Sequence, residues 1–380
     1  MGILYNSPGM VYLDYAANFP VSSEVLKTLC ETELFHFGNA VSKHPAGESS
    51  LEEYKRLNQK ALRLFGVDPS EFEIVYTSSA SESNNLAIKG IYESYQGLGK
   101  QILTSEFEHS SVNAALGYLK EKGADIQMVS TTCEGKIDLD DLRAKLTKET
   151  ILLCLCLVES ETGAIEPYQE VEEILKDFPN CHLLIDATQA IGKIPLDLRG
   201  IDLLTCTPHK FGGLIGTGFL LKRKTTVLTP LIHGGMSVSP YRSGTTPLGL
   251  IASSVKALEL AMEGLNAHYE SVSALRKHLL EGLSAIPSVQ INSPSDFPYI
   301  LSLSLKGKRA KEVTSKLAQK GICVSQKSAC SIPNTPSKTI MAIYHDRARA
   351  LSSFRVSLSY LTTQKEIDAL TEALKEIANE

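Results

Sequence analysis

From about residue 72 the chain alternates between two hydrophobic patterns. Apolar, β-rich runs (FEIVYT, QILTS, DIQMVST, ILLCLCLV, HLLIDAT and DLLTCT) are separated by stretches of helical spacing such as NNLAIKGIYESY, VNAALGYLKEKG and VEEILKDF. Strands that are apolar on both faces and alternate with helices predict a largely parallel sheet covered on both sides. Ligands in such sheets bind outside the carboxyl ends of the strands. After Gly244 two long helical patterns follow, TPLGLIASSVKALELAMEGL and HYESVSALRKHLLEGLSAI. They lead into a smaller α+β region with strands expected near YILSLSL and FRVSLSYL and helices over RAKEVTSKLAQKG and QKEIDALTEALKEIA. The expected division is a large domain over 20–255 and a small domain made of 1–19 and 256–380.

A length of 380 residues suits one large and one smaller core. Hydrophobic content of 43% and charged content of 21% are ordinary for a soluble globular enzyme. A net charge of −5 argues against a nucleic-acid or anionic-membrane surface. No apolar run reaches the ~20 residues that span a bilayer, and the opening MGILYNSPGMVYLDYAA lacks a signal pattern. A cytoplasmic protein is expected. The eight cysteines (30, 133, 154, 156, 181, 206, 323 and 330) form no Cys-x-x-Cys pair, so no structural metal site is expected. Most sit inside apolar runs as small buried hydrophobes. Cys330 differs, lying in the polar, proline-bearing stretch QKSACSIPNTPSK.

Candidate chemistry gathers at the strand ends. After FEIVYT, Ser79 and Glu82 stand three apart as a capping box requires. The turn reads either as a plain N-cap or as a helix start whose amides hold a phosphate. After QILTS comes His109, which alone is more often structural than catalytic. After HLLI comes Asp186, with Gln189 three residues on. An aspartate there is often a cap or a metal ligand, but no second carboxylate or histidine cluster accompanies it. After DLLTCT comes Pro208-His209-Lys210, where a lone lysine would read as a turn residue. Together the four features match the needs of pyridoxal phosphate: a phosphate turn, a ring-sized histidine, a buried acid for the pyridine nitrogen, and an amine that forms an imine.

The segments VYLDYAANFPV, FGNAVSKHPAG, VYTSSASESNNLAIKG, TSEFEHSSV, IDATQAIGKIPLDL, TPHKFGGLIGTGFL, HGGMSVSPYRSGT, KSACS and FRVSLSYLTTQKEID run from residue 11 to about 370. In these segments the chain resembles the cysteine desulfurase family, within the class V group of fold-type I pyridoxal-phosphate enzymes. The resemblance implies an α/β fold with a mainly parallel large domain and a smaller α+β domain carrying the cysteine loop. It implies that Lys210 is the Schiff-base lysine, Asp186 the pyridine-nitrogen partner, Gln189 the contact to the phenolic oxygen, and His109 the ring that stacks on the cofactor. Ala80, Ser81, Thr207 and His209 take the phosphate-binding positions. Thr245 matches a threonine that reaches the phosphate from a partner subunit, implying a homodimer. Arg355 matches the clamp on the carboxylate of the substrate L-cysteine, a bidentate task. Cys330 matches the nucleophile that takes sulfur as a persulfide and passes it to an acceptor protein, such as an iron–sulfur scaffold.

Three departures from the family pattern stand out. Ser160 replaces an asparagine that touches cofactor and substrate carboxylate. Pro208 replaces a glycine and removes a backbone donor. Gln326-Lys327 precede Ser-Ala-Cys where Ser-Gly is expected, with Pro333 and Pro336 following; Lys327 would favour the Cys330 thiolate. The alternatives are a transaminase or lyase of the same class (selenocysteine lyase included) with Cys330 incidental, and a non-enzymatic scaffold. A nucleotide site resting on the glycines of GGLIGTG lacks both Walker and Rossmann spacing.

Overall fold

The computed structural model describes residues 9–326 and 335–380. Seven strands form the central sheet: β1 (Phe72–Thr77), β2 (Gln101–Ser105), β3 (Asp125–Val129), β4 (Thr150–Cys156), β5 (His182–Asp186), β6 (Leu203–Cys206) and β7 (Gly218–Arg223). Their spatial order is β1-β7-β6-β5-β4-β2-β3. The pairs β2–β3, β2–β4, β4–β5 and β5–β6 are parallel, and β7 is antiparallel to both of its neighbours. All six strands read from the hydrophobic pattern are present. The seventh, β7, was not anticipated. Its reversal follows from its connection, since 207–217 holds only a single 3-10 turn, too little chain for a helical crossover to a parallel strand.

Every residue of β4 is buried, as a strand covered on both faces requires. Alternation sorts the side chains to two cores. Leu152, Cys154, Leu184, Leu203 and Leu220 meet helices Ala80–Tyr95 and Ser110–Glu121 on one face. Leu153, Leu155, Leu183, Ile185, Leu204 and Leu221 join the larger cluster on the other face, which includes helix Leu248–Glu263. That helix runs through the expected boundary at 255–256 without a break.

The second sheet has three antiparallel strands, β8 (Val289–Ile291), β9 (Ile300–Leu305) and β10 (Ser353–Ser357), with β9 in the middle. Helices Leu265–Ser284 and Gln364–Asn379 pack against one another, and a full capping box at Thr363 and Glu366 starts the latter. The N-terminal strand Val11–Tyr12 pairs with Ile322–Cys323. This pairing lays the segment after it, Leu13–Ala17, between the two sheets: Ala187 and Gln189 follow β5, and Ser357 ends β10.

Candidate active site

The carboxyl edge of the central sheet collects most of the expected residues. Asp186 ends β5 in register with Thr205 of β6. Its carboxylate is buried, 5% exposed. Oδ2 accepts from Asn84 Nδ2 at 2.9 Å, and Oδ1 accepts from the Thr188 amide at 3.0 Å. No basic side chain pairs with it among the described residues; its donors are a side-chain amide and a backbone amide. Asn84 is a hub: its Oδ1 accepts from Thr205 Oγ1 at 2.6 Å and its Nδ2 also reaches Ser111 Oγ at 3.0 Å. Ser111 in turn binds His109, whose Nδ1 accepts the Ser111 amide at 3.2 Å and lies 2.9 Å from its hydroxyl. With Nδ1 committed as an acceptor, the ring proton of neutral His109 sits on Nε2. His109 also caps helix Ser110–Glu121, so the structural role and the expected one coexist.

The turn after β1 is a true N-cap: Ser79 Oγ accepts the Glu82 amide at 3.1 Å. The Glu82 carboxylate reaches one residue further back than a capping box would, to the Ser78 amide at 2.7 Å, and also meets Arg242 at 3.2 Å. These bonds leave the Ala80 and Ser81 amides of the first turn without an acceptor among the described residues. Gly218 of β7 lies against this turn; a Cβ there would stand 2.5 Å from the Ser79 carbonyl carbon and 2.6 Å from Thr77 Oγ1. Beyond β6, Thr207 Oγ1 donates to the Thr217 carbonyl at 2.8 Å. The 2.8 Å contact between Thr207 Oγ1 and His209 Nδ1 therefore has the imidazole donating. Burial, and then the charge of Lys210, push the His209 pKa down to about 4, so it is neutral at pH 7. Pro208 occupies the first position of the turn Pro208–Lys210, where its fixed φ favours the turn and its missing N–H is no loss to it.

Lys210 turns from this segment toward the N-terminal strip. Its Nζ donates to the Ala16 and Ala17 carbonyls at 2.8 and 2.7 Å. Gln189 Nε2 donates to the same Ala16 carbonyl at 2.9 Å. The strip also serves the second sheet: Asp14 Oδ1 accepts from Arg355 Nη2 at 3.1 Å, and Asp14 Oδ2 accepts from Ser325 Oγ at 2.7 Å. Arg355, 2% exposed, further donates from Nη1 to the Ser160 carbonyl at 2.8 Å, while its Nε is buried with no partner among the described residues. Ser160 thus meets Arg355 through its backbone rather than through the hydroxyl that replaces the expected asparagine. Glu159 fixes this loop by accepting the Glu161 amide at 2.9 Å and the Thr162 amide at 2.6 Å.

Cys330, with Lys327 and Pro333, lies outside the described residues. The flanks of that segment are tied to the neighbours of Arg355: Ser325 to Asp14, and Ser337 to Glu161 at 2.5 Å. Thr245 is exposed and lines a small cleft with Tyr54, Tyr76 and Arg242. It is not joined to the Lys210 cluster by any hydrogen bond within the described chain.

Sequence reasoning missed Asn84, Lys193 and the role of Asp14. A signal existed for Asn84, since it precedes Ala87, Ile88 and Ile91 at helical spacing and so falls on the buried face. For Lys193 and Asp14 the signal was burial, which a sequence does not print.

These residues fit pyridoxal 5′-phosphate. A buried carboxylate with only neutral donors suits a protonated pyridine nitrogen, and the buried Thr188 hydroxyl has no partner among the described residues. Two free amides at a helix start, under a glycine that leaves room, suit a phosphate. An amine at the neighbouring strand end suits an aldehyde. A cavity of about 650 Å³ lies to one side of this arrangement and touches it at Ala16, Lys193 and Lys210.

The aminotransferase class-V family matches residues 11–370. A protein named cysteine desulfurase IscS from Dictyoglomus turgidum is 34% identical over 373 residues, which is 97% of this chain and 94% of its own. Another of that name from Buchnera aphidicola is 35% identical over 367 residues, 94% of this chain and 90% of its own. A solved structure of a NifS-like protein superposes with a TM-score of 0.90 at 30% identity, covering 97% of this chain and 99% of the other. A structure described as SspA in complex with cysteine gives 0.78 at 29% identity, covering 93% and 99%. With a profile spanning nearly the whole chain, relatives above 30% identity over nearly their full length and a shared fold, this chain belongs to the class-V aminotransferases, in the cysteine desulfurase family.

Proposed function

We propose that this protein is a pyridoxal-phosphate-dependent cysteine desulfurase. The observation that carries the reading is the pair of adjacent strand ends, where Asp186 is buried with no cation beside it among the described residues and Lys210 follows one strand over, with Arg355 held across the Asp14–Ala17 strip. When bound, the cofactor supplies an electron sink that makes the substrate's Cα–H acidic and its C–S bond labile.

The chain's own residues do the rest. Lys210 would hold the cofactor through its aldehyde carbon, and its amine when free would carry the substrate's α-proton. Asp186, oriented by Asn84, keeps the pyridine nitrogen protonated. His109 covers the ring, and Ala80, Ser81, Thr207 and His209 hold the phosphate. An anion beside His209 would raise its pKa again, so that Nε2 carries a proton to donate. Arg355, whose Nε–H has no partner among the described residues, receives the substrate carboxylate beside Ser160. Cys330 as a thiolate attacks the sulfur of L-cysteine. A sulfur–sulfur bond would form and the carbon–sulfur bond would break, its electron pair staying with the carbon; that carbon takes up a proton equivalent to the one the substrate thiol gives up and becomes the methyl group of L-alanine. The Cys330 persulfide then passes its outer sulfur to an acceptor protein, for which an iron–sulfur scaffold is the candidate. In this reading one part of the chain holds the cofactor and the smaller part carries the cysteine loop. A homodimer completes each site with Thr245 of the other copy; the exposed side chains of Leu34, Phe35, Phe37, Ile215 and Met236 favour such an association.

The test is alanine and persulfide formation from L-cysteine by the yellow protein, with borohydride reduction fixing the cofactor to Lys210. Cys330→Ser should keep the colour and lose both products. Alanine release by that variant at near wild-type rate would favour the lyase or transaminase reading.

A further inference from the structure

A second buried lysine stands behind Gln189. Lys193 is only 8% exposed, and its Nζ donates to Gln189 Oε1 at 2.7 Å. Gly192 makes its entry possible: the residue has φ +74°, and a Cβ there would stand 2.7 Å from the Cβ of Ala261. A larger residue would push the turn off helix Leu248–Glu263 and swing Lys193 outward.

An ammonium or amine offers N–H groups, so the Gln189 carbonyl oxygen must be the end facing Lys193. The amide NH₂ is then forced to the opposite side, where one hydrogen meets the Ala16 carbonyl at 2.9 Å. That carbonyl also accepts from Lys210, so the Gln189 amide nitrogen and the Lys210 amine share one acceptor and lie on the same side of the turn. Burial, and then the charges of Lys210 and Arg355, push the Lys193 pKa down to about 7. Both of its protonation states still donate to Gln189, so the amide orientation survives through neutral pH.

We propose that Lys193 is a positioning residue that locks the Gln189 amide with its NH₂ toward the cofactor's phenolic oxygen and thereby sets the acidity of the Lys210–cofactor linkage. This rests on the reading of Lys210 and Gln189 as cofactor contacts. A donor held against the phenolate stabilises the unprotonated linkage. Losing that donor, or the positive charge behind it, moves the titration of the linkage to higher pH.

The experiment is an absorbance–pH titration of the purified holoprotein, which needs no substrate. Lys193→Met, nearly isosteric but without a donor, should raise the midpoint by roughly one pH unit. Lys193→Arg should restore the wild-type midpoint, since the adjoining cavity of about 650 Å³ has room for the guanidinium. Gln189→Leu should raise the midpoint as well, and adding Lys193→Met to it should raise it little further. If Lys193→Met does not accumulate folded, Lys193→Gln replaces it; its amide is one atom too short to reach Gln189 and should shift the midpoint in the same direction. An unchanged midpoint in either variant, with borohydride still fixing the cofactor to Lys210, overturns the proposal. Reduced cofactor on a different lysine overturns instead the reading on which it rests.

Discussion

Asp14 shows how much one side chain holds in this molecule. Its two oxygens bind Arg355 and Ser325, and its backbone leads directly into the carbonyls that receive Lys210 and Gln189. Removing it strands the Arg355 guanidinium, 2% exposed, without its counter-charge. Asp14→Ala should therefore destabilise the apo-protein by about 3 kcal/mol, the low end for a broken buried pair because Asp14 itself is partly exposed. Urea unfolding gives the number, and a change below about 0.5 kcal/mol, the size of an ordinary surface substitution, would refute the argument. His209 makes a prediction of opposite character. Its folded pKa of about 4 lies below the ordinary value of 6.5. Between those pH values the unfolded chain takes up a proton that the folded chain refuses, so stability is lost as pH falls through that window. His209→Asn should flatten the acid-side decline of Tm in the apo-protein. Equal slopes for the two proteins would mean that the imidazole is not held neutral.

At the scale of elements, the phosphate end of the site depends on the close approach of two strands. Strand β7 pairs with β1 up to Gly218 opposite Thr77, at the point where the chain turns into helix Ala80–Tyr95. The missing Cβ of Gly218 lets the Ser79 backbone sit there, and the contact is with backbone, which cannot rotate away. Gly218→Ala should displace the Ala80 and Ser81 amides and lower cofactor affinity by roughly tenfold or more, the equivalent of one or two hydrogen bonds to an anion. Far-ultraviolet circular dichroism should remain unchanged, because the sheet pairing itself does not need the glycine. Full cofactor retention in this variant would show that the phosphate is held elsewhere.

For the whole molecule, the prediction concerns association. Phe35 and Phe37 are 75% and 80% exposed and Met236 is 91% exposed, high values for large apolar side chains. The exposed Thr245 lies in a loop on the same chain stretch as Met236. Phe37→Asp should give a monomer by light scattering, and that monomer should lose the yellow cofactor on gel filtration even though no side chain of its own cluster has changed. Thr245→Ala should weaken cofactor retention while leaving the proposed dimer intact. A monomeric Phe37→Asp variant that keeps its cofactor and full activity would contradict a shared site.

The hydrophobic pattern by itself determined six of the seven central strands. Five are buried along most of their length, where a strand covered on both faces has little freedom to be anything but apolar. The edge strand β3 is largely exposed and is legible only from its place in the alternation of strands and helices. The pattern also placed Asp186, His109 and Lys210 at strand ends, since a polar residue that terminates such a run has one place to go. Strand β7 escaped because its direction is decided by the length of its connection and not by its composition. Only the tertiary structure brought the Asp14–Ala17 strip between Lys210 and Arg355, with Ala16 194 positions from the one and Asp14 341 from the other, and only it revealed Asn84 and Lys193 as partners of Asp186 and Gln189. Those are contacts between side chains whose own sequence neighbourhoods are ordinary. Burial makes them matter, since a polar group removed from water must find its partner in the protein, and which partner it finds is set by packing rather than by local sequence.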